Sequence, residues 1–374
     1  GIPAITDKYK RCRAAVDSGV NLVVELPLFY AVSSAEIFAA GAVATLNALN
    51  ASFISFGCEN ADIQMLKKIA ITLVNEPDEY KKHLKKALTC GDSFPTARAK
   101  ALSEFFKSDD ISRLISSPNN ILAIEYIKEI IKSESAVTPV ALTRKISGYH
   151  DNEIHENIAS ASAIRKILHD SGIHKNNDSR CKNIKELQNV MPEAMYNILA
   201  SESQNNTLIY ADDFSSMLNY KISNIFYIAK YNKNACIETL CAYHDINKDL
   251  ACRIYSSFTG CDSFNGFIEK IKTRGFTYSR LSRCLMHIIL DIKKENISQY
   301  ESLPYIRILG FDKKGREYLS QIKKTCPVPI ITKAADYKNL LTDDIHAASL
   351  YNQIVYTKSG TINKDEFRQP LYIK

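Results

Sequence analysis

The sequence predicts an α/β fold in the first half of the chain and a mainly α-helical second half. Up to about residue 170, short β-branched runs alternate with helical patterns, which favours a mainly parallel sheet flanked by helices. Beyond about residue 188 the apolar spacing is mostly helical, and Gly and Pro are rare. A chain of 374 residues is long enough for two domains that each bury a core.

Three apolar segments predict the strands of the sheet, at residues 20–26, 51–56 and 137–142. The first is nearly all apolar and is closed by Pro27, as in a buried parallel strand. Ligands bind outside the carboxyl ends of the strands in such sheets. The residues that follow the second and third strands, 57–60 and 144–145, are therefore candidates for a binding site.

Helical patterns fill the segments between and after the strands. The first predicted helix runs from about Asp7 to Ser18, and Gly19 ends it. A second is capped by Ser33 or Ser34 and continues to about Leu49. The other predicted helices lie at 121–131, 220–231, 237–243, 249–257, 267–273 and 278–292, the last capped by Thr277, and residues 329–333 are predicted as a short strand.

Composition excludes several classes of protein. No uncharged apolar run reaches the roughly 18–20 residues that a membrane-spanning helix needs. The ten cysteines are scattered without a CxxC pair, which predicts reduced thiols in a cytoplasmic protein and no metal site. The net charge of +7 permits a polyanionic partner but does not require one.

Residues 157–166, NIASASAIRK, combine serines at the start of a helix with cations one turn later. Ser160, Ser162 and Arg165 together with the free N–H groups of the first turn can form a compact anion site. The alternative is a capped helix start that faces solvent. Both interpretations stay open on the residues alone.

Two other short stretches allow a functional and a purely structural interpretation. Gly57 follows a strand, where it lets a ligand approach the backbone or serves as an ordinary turn residue. Asn119 and Asn120, in the stretch SPNN at 117–120, precede an apolar helix, so they can cap it or face a ligand. On the first helix, Lys8 and Arg11 can meet phosphates or form a solvated basic face.

The stretch SASAIR at 160–165 resembles the second signature of the HIGH-type nucleotidyltransferases, in which such a helix start holds the triphosphate of ATP. Six blocks in one order resemble, more specifically, the bacterial tRNA(Met) cytidine acetate ligase family: GIPAITDKYKR, GVNLVVELPLFYAVSSAEIFAAGAV, ISFGCEN, GDSFPTARAKAL, SPNNILAIEY and TRKISGYHD. The resemblance continues into the second half through FTYSRLSRCLMHIILDI, YIRILGFDKKGREYL and ITKAADY.

This resemblance implies an α/β, Rossmann-like nucleotidyltransferase domain, truncated at its N-terminus, at residues 1–170. A linker at 171–188 and a mainly α-helical, tRNA-binding domain at 189–374 are expected to follow. The implied reaction forms acetyl-adenylate and pyrophosphate from ATP and acetate, with Mg²⁺ on the phosphates. The acetyl group then passes to N4 of the wobble cytidine of elongator tRNA(Met), which gives N4-acetylcytidine.

The resemblance also assigns residues to the two sites. Asn119 matches an ATP-contacting asparagine of the family, and the adjacent Asn120 is the alternative match. The other implied ATP-binding residues are Gly57, Arg144, Lys145, Ser160, Ser162 and Arg165.

A basic segment in the second half is the candidate contact with tRNA. It has four cations with no acid between them, interleaved with Phe276 and Tyr278, so cations can meet phosphates while a ring stacks on a base. A solvated basic face with buried aromatic residues is the alternative, and the resemblance favours the RNA contact. The predicted tRNA-binding residues are Lys272, Arg274, Phe276, Tyr278, Arg280, Arg283 and Lys333.

One departure from the family affects the catalytic residues. The family opens with a strand and an HxGH loop, whereas none of the eight histidines here forms HxGH. We therefore expect the sequence to be truncated, assign no catalytic residue, and predict severely impaired adenylation for the chain as given. A small-molecule adenylyltransferase and a non-catalytic RNA-binding protein are the alternative functions.

Overall fold

The computed structural model describes residues 2–92, 94–144, 154–155, 158–173, 184–273 and 275–374. The chain divides into two compact units. Residues 34–167 form one of them, the central unit, and residues 1–33 together with 168–374 form the other, the terminal unit.

The central unit is built around a pair of parallel strands, β2 (Phe53–Cys58) and β3 (Thr138–Thr143). A short antiparallel pair, Ile154–His155 with Ile158–Ala159, follows later in the chain. The helices of the unit are Ala35–Ala48, Ile63–Asn75, Asp78–Thr89, Phe94–Phe106, Asp110–Ser116 and Pro118–Lys132, and Ala161–Ile173 begins in it.

The two faces of the β2–β3 pair differ in exposure. Ile54, Phe56 and Cys58 alternate into the core, where they join apolar side chains from the helices. On the opposite face Phe53 is 64% exposed and Leu142 is 57% exposed. Because side chains alternate along a strand, Gly57 lies on this open face.

The terminal unit contains a second, mixed sheet. Its first strand, β1 (Leu22–Glu25), runs antiparallel to Ile306–Phe311, which pairs in parallel with Ile330–Ile331 and with Tyr372–Ile373. Gly310 is required here, since a Cβ would lie 2.6 Å from Cys12 Sγ and 2.8 Å from the Tyr372 carbonyl oxygen.

Helices make up most of the terminal unit, as the apolar spacing predicts. They are Lys8–Asp17, Leu28–Ala31, Glu193–Gln204, Ser215–Ile228, Lys233–Cys241, Lys248–Ser257, Phe264–Ile271, Tyr278–Leu290, Lys313–Ile322 and Thr342–Ser359. Three short 3₁₀ helices lie at Ala211–Phe214, Lys294–Tyr300 and Ala334–Tyr337. No helix of the described residues is both long and apolar enough to cross a membrane.

The mixed α/β character with small sheets confirms the predicted fold class at a coarse level, but one strand is misplaced in the prediction. The segment 20–26 does contain β1, yet its partner is Ile306–Phe311 from the second half rather than the parallel pair. A run of apolar residues indicates burial but carries no information about a distant partner. The functional domain boundaries at 170 and 188 stay a prediction; the compact units group residues 1–33 with the second half because β1 pairs there.

Two predicted helix caps are confirmed. The Ser34 hydroxyl accepts a hydrogen bond from Ile37 N at 3.5 Å, before Ala35–Ala48. The Thr277 hydroxyl accepts from Arg280 N at 3.4 Å, before Tyr278–Leu290. The short strand predicted at 329–333 is present as Ile330–Ile331.

Candidate functional site

Gly57 and Arg144 meet at the carboxyl ends of β2 and β3. Arg144 N donates to the Cys58 carbonyl oxygen at 2.9 Å, which continues the strand pairing beyond Thr143. A methyl group on Gly57 would lie 3.3 Å from Arg144 Cγ, so the arginine stem passes directly over the glycine. Because glycine has no side chain, the Arg144 side chain can lie over Gly57 at the edge where parallel sheets bind ligands.

Asn120 has a structural role in the loop that follows β2. Its side chain is 1% exposed, and its Oδ1 accepts from the backbone N–H groups of Glu59 at 3.0 Å and Asn60 at 3.2 Å. Its Nδ2 donates to the Leu114 carbonyl oxygen at 3.0 Å. These three bonds occupy the amide, so Asn120 holds the loop in place rather than presenting a group to a ligand.

Asn119 is oriented by Glu59, which lies in the candidate stretch 57–60 but to which the sequence analysis assigned no specific role. Asn119 Nδ2 donates to Glu59 Oε1 at 2.7 Å, and Asn120 N donates to Glu59 Oε2 at 3.2 Å. An ionised carboxylate only accepts hydrogen bonds, so the Nδ2 of Asn119 must be the atom that faces it. No described residue donates to Asn119 Oδ1, which is left as a hydrogen-bond acceptor for a ligand.

The position of Glu59 in the chain placed it in the candidate stretch 57–60, although its individual role was not predicted. It is an acidic residue two places after Gly57, at the end of a strand, where ligand-orienting groups concentrate. Only the fold shows that it faces the start of the helix Pro118–Lys132, because the two segments are 60 residues apart.

The start of the helix Ala161–Ile173 has the composition of an anion site. Ser160 is 3% exposed and its hydroxyl accepts from Ala163 N at 3.0 Å, so it caps the helix. Ser162 is exposed, and Arg165 lies one turn further along the same face. Arg165 Nε is buried without a hydrogen-bond partner among the described residues.

Two of the predicted site residues, Lys145 and Arg274, lie outside the described residues. The described ATP candidates thus form two groups: Gly57, Asn119 and Arg144 around the ends of β2 and β3, and Ser160, Ser162 and Arg165 at the helix start.

The predicted RNA-contacting segment has several internal contacts. Arg283 Nε donates to Asp245 Oδ2 at 2.7 Å, and the Arg280 guanidinium lies 5.2 Å from the Phe276 ring centroid. Burial by itself raises the pKa of Asp245, but the neighbouring Arg283 outweighs it and the pKa is lowered. Tyr278 is half-buried and its hydroxyl donates to Asn265 Oδ1.

The two predicted lysine contacts have acidic neighbours on their own helical turns. Lys272 Nζ lies 3.5 Å from Glu269 Oε1, and Lys333 Nζ lies 3.6 Å from Asp336 Oδ1. Both lysines are exposed, so these pairs are weak and exchange readily for a phosphate.

Lys8 belongs to a buried ion-pair cluster in the terminal unit. Its Nζ lies 2.6 Å from Glu25 Oε1 and 3.0 Å from Glu366 Oε2. Arg307, only 5% exposed, also pairs with Glu366 at 2.5 Å. Two acids are therefore shared between two cations, and Lys8 has a structural role within the unit.

Asp344 is buried in the same unit with two hydrogen-bond donors. Its Oδ1 accepts from Leu28 N at 3.2 Å, and its Oδ2 accepts from the Tyr305 hydroxyl. Burial, together with the negative charge of Glu25, raises the pKa of Asp344 to about 7.

The family model for HIGH Nucleotidyl Transferase matches residues 1–366. This match over almost the whole chain shows that the protein is a HIGH nucleotidyltransferase. A tRNA(Met) cytidine acetate ligase of Clostridium novyi (strain NT) is 36% identical over 379 residues, which covers 100% of this chain and 89% of the relative. One of Thermoanaerobacter sp. (strain X514) is 35% identical, with 99% of this chain and 88% of the relative covered.

Solved structures agree with these relatives. The apo crystal structure of Thermotoga maritima TmcAL matches with a TM-score of 0.87 and 27% identity, over 100% of this chain and 89% of that chain. The form of TmcAL bound with alpha-thio ATP matches with a TM-score of 0.84 and 26% identity, over 100% and 88%. This chain belongs to the tRNA(Met) cytidine acetate ligase family of the HIGH nucleotidyltransferases, which confirms the resemblance noted from its motifs.

Proposed function

We propose that this protein is an ATP-dependent ligase that forms acetyl-adenylate from acetate and transfers the acetyl group to N4 of the wobble cytidine of elongator tRNA(Met). The observation that carries this proposal is the 36% identity to a tRNA(Met) cytidine acetate ligase over the whole chain. The alpha-thio ATP bound to the Thermotoga maritima relative supports the proposal that the nucleotide is ATP.

The central unit supplies the groups that we assign to ATP. Arg144, held over Gly57, and the start of the helix Ala161–Ile173 are assigned to the phosphates. Arg165 meets the anion with an Nε that has no other described partner, and the first-turn N–H groups add to it. Asn119 offers its acceptor oxygen to a donor group of the nucleoside. Lys145 is part of the same proposal.

The chemistry asks for positioning and charge stabilisation. An acetate oxygen attacks the α-phosphorus. The bond between the α-phosphorus and the oxygen that bridges it to the β-phosphate breaks, and pyrophosphate leaves with that oxygen. Arginines held at the phosphates stabilise the negative charge that accumulates on the leaving group. The described residues contain no cluster of acids, histidines or cysteines suited to a metal, and we assign Mg²⁺ to the phosphate oxygens, its usual ligands beside ATP.

The second step needs an unstacked base. The exocyclic amine of cytidine is a weak nucleophile, and its base must leave the stack to meet the acetyl group. We assign tRNA binding to the helical second half, with the predicted residues between Lys272 and Arg283 and Lys333 as contacts. A tRNA substrate and cysteines that are free throughout the described residues are consistent with the cytoplasm.

Two assays test the proposal. Acetate-dependent exchange between ATP and pyrophosphate measures adenylation, and radiolabelled acetate measures acetylation of the tRNA. Exchange that yields no acetylated tRNA would identify a small-molecule adenylyltransferase instead. Binding of tRNA without ATP turnover would identify a non-catalytic RNA-binding protein.

A matched pair of variants tests the phosphate assignment. Arg165→Ala is expected to weaken ATP binding on the order of 10- to 100-fold, because it removes charge-assisted hydrogen bonds. Lys166→Ala, the exposed neighbour, is the control and is expected to stay near wild type.

A further inference from the structure

The helix Ser215–Ile228 and the turn after it present large apolar side chains to solvent. Tyr220 is 67% exposed, Tyr227 70%, Ile228 69% and Tyr231 66%. The opposite face of the helix is anchored in the core through Leu218, Ile222, Ile225 and Phe226. A surface helix normally presents charged residues on its outer face, so an outer face of tyrosines suggests a binding surface.

The three tyrosines are held in a fixed arrangement. Tyr220 and Tyr227 are seven residues apart on one face of the helix, a rise of about 10 Å. Lys230 and Tyr231 then adopt left-handed conformations, with φ of 50° and 58°. Tyr231 N donates to the Phe226 carbonyl oxygen at 2.8 Å, which fixes the turn that carries the third ring.

The chain segment that carries these rings has only positive charges of its own. Residues 214–237 contain three lysines and no acidic residue. Lys221 pairs with Asp291, whereas Lys230 and Lys233 are exposed and have no ion pair among the described residues. A surface of this kind matches a polyanion better than it matches a neutral or basic protein.

We propose that Tyr220, Tyr227 and Tyr231, with Lys230 and Lys233, form a tyrosine surface that binds unpaired nucleotides of the tRNA substrate. Bases stack on the rings and the lysines meet the phosphates, as in other single-stranded RNA sites. This inference rests on the proposed function and adds a contact surface to it.

The state of the tyrosines distinguishes this surface from the predicted basic segment. No described residue forms a hydrogen bond with the hydroxyls of the three rings, and each ring is about two-thirds exposed. In the basic segment, by contrast, Phe276 lies beneath Arg280 and Tyr278 is hydrogen-bonded to Asn265. The tyrosine surface offers ring faces to RNA without breaking an existing contact.

Single substitutions test the stacking. Tyr227→Ala and Tyr231→Ala are each expected to raise the dissociation constant for an elongator tRNA(Met) transcript by about 5- to 100-fold, measured by fluorescence anisotropy. Tyr227→Phe keeps the ring and is expected to stay within about 3-fold of wild type. Tyr356→Ala is the matched control, since Tyr356 is 51% exposed on another helix, Thr342–Ser359.

The lysines are tested through the salt dependence of binding. Each of Lys230→Ala and Lys233→Ala is expected to reduce the slope of log K against log salt concentration by about 0.7, the value for one contact with a single strand. ATP affinity and the far-ultraviolet circular dichroism spectrum of every variant are expected to match wild type, which separates an RNA contact from a folding defect.

Two outcomes would overturn the tyrosine surface while leaving the proposed function intact. Wild-type tRNA affinity in both alanine variants would exclude stacking on these rings. A concentration-dependent dimer that Tyr227→Ala dissociates, with tRNA affinity unchanged, would assign the surface to a second copy of the chain. Failure of the wild-type protein to bind or acetylate tRNA would instead remove the proposed function itself.

Discussion

Asn119 donates its amide Nδ2 to Glu59 Oε1 over 2.7 Å, so the carboxylate decides which end of the amide is presented to a ligand. With Nδ2 engaged, Asn119 offers an acceptor only. Among purine nucleotides, ATP has an amino donor at position 6, where ITP has an acceptor oxygen. Under the proposed assignment of Asn119 to the nucleoside, Glu59 sets the nucleotide preference without touching the nucleotide.

We expect Glu59→Gln to reduce the preference for ATP over ITP by roughly 10-fold, the worth of about one hydrogen bond. A glutamine can donate or accept, so Asn119 becomes free to turn its amide. Calorimetric titration with the two nucleotides measures the ratio. Glu129→Gln, on the same helix as Asn119, is the control, and an unchanged ratio in Glu59→Gln would contradict this role.

Gly57→Ala is expected to separate stability from binding. The added methyl group would lie 3.3 Å from Arg144 Cγ and displace the arginine, so ATP affinity should fall by about 10-fold. Stability should hold or rise by about 0.5–1 kcal/mol, because alanine suits a strand interior better than glycine. Gly275→Ala, where the nearest atom is 3.9 Å away, is the control. Equal ATP affinity in the two variants would exclude Arg144 from the site.

Arg283→Ala is expected to destabilise the terminal unit. The guanidinium pairs with Asp245 at 2.7 Å, and both side chains are largely buried, so loss of one partner should cost about 1.5–3 kcal/mol. Arg280→Ala, whose side chain is half-buried and lies over Phe276, should cost less. Urea unfolding of both variants at pH 7 measures the difference.

The same pair also predicts a pH dependence. The pKa of Asp245 is lowered in the folded protein, so its stabilising contribution is present above the ordinary carboxyl pKa and is lost as pH falls through the folded value. Asp245→Asn should therefore lose less stability than wild type on acidification. If the stability of wild type and of Asp245→Asn declined equally as pH falls, the ion pair would not couple protonation to folding.

Asp344→Asn is expected to reduce a pH dependence of stability whose sign is opposite to that of Asp245, since here stability falls as pH rises. Burial raises the pKa of Asp344 to about 7, so the folded protein favours the protonated carboxyl. The resulting stabilisation of the wild type is fully present below the ordinary carboxyl pKa and is lost as pH rises towards 7. Asparagine can still accept from Leu28 N and can donate to the Tyr305 hydroxyl. Thermal unfolding at pH 5 and pH 8 should show a smaller difference for the variant. A larger difference would contradict the raised pKa.

Local sequence signals predicted the elements well where the partner group lies nearby. Ser34 and Thr277 cap their helices as expected, since a cap needs only a backbone N–H three residues away. Gly57 and Arg144 also come together, because parallel strands place their carboxyl ends at one edge of a sheet.

Long-range relationships were not predictable in the same way. The pairing of β1 with Ile306–Phe311 joins segments almost 300 residues apart, and no pattern in either strand names the other. The same holds for Glu59. The sequence shows that it is acidic, but its contact with Asn119 depends on where the loop after β2 meets a distant helix.

The sequence by itself determined the class of fold, the helix caps, the residues at the strand ends and, through its motifs, the family. Those features depend on periodicity and on neighbours within a few residues. Only the tertiary structure decided which strand pairs with β1, which face of the helix Ser215–Ile228 is buried, and which end of the Asn119 amide faces outward. Exposure and hydrogen-bond direction are properties of surroundings contributed by distant parts of the chain, so they exist only once the chain has folded.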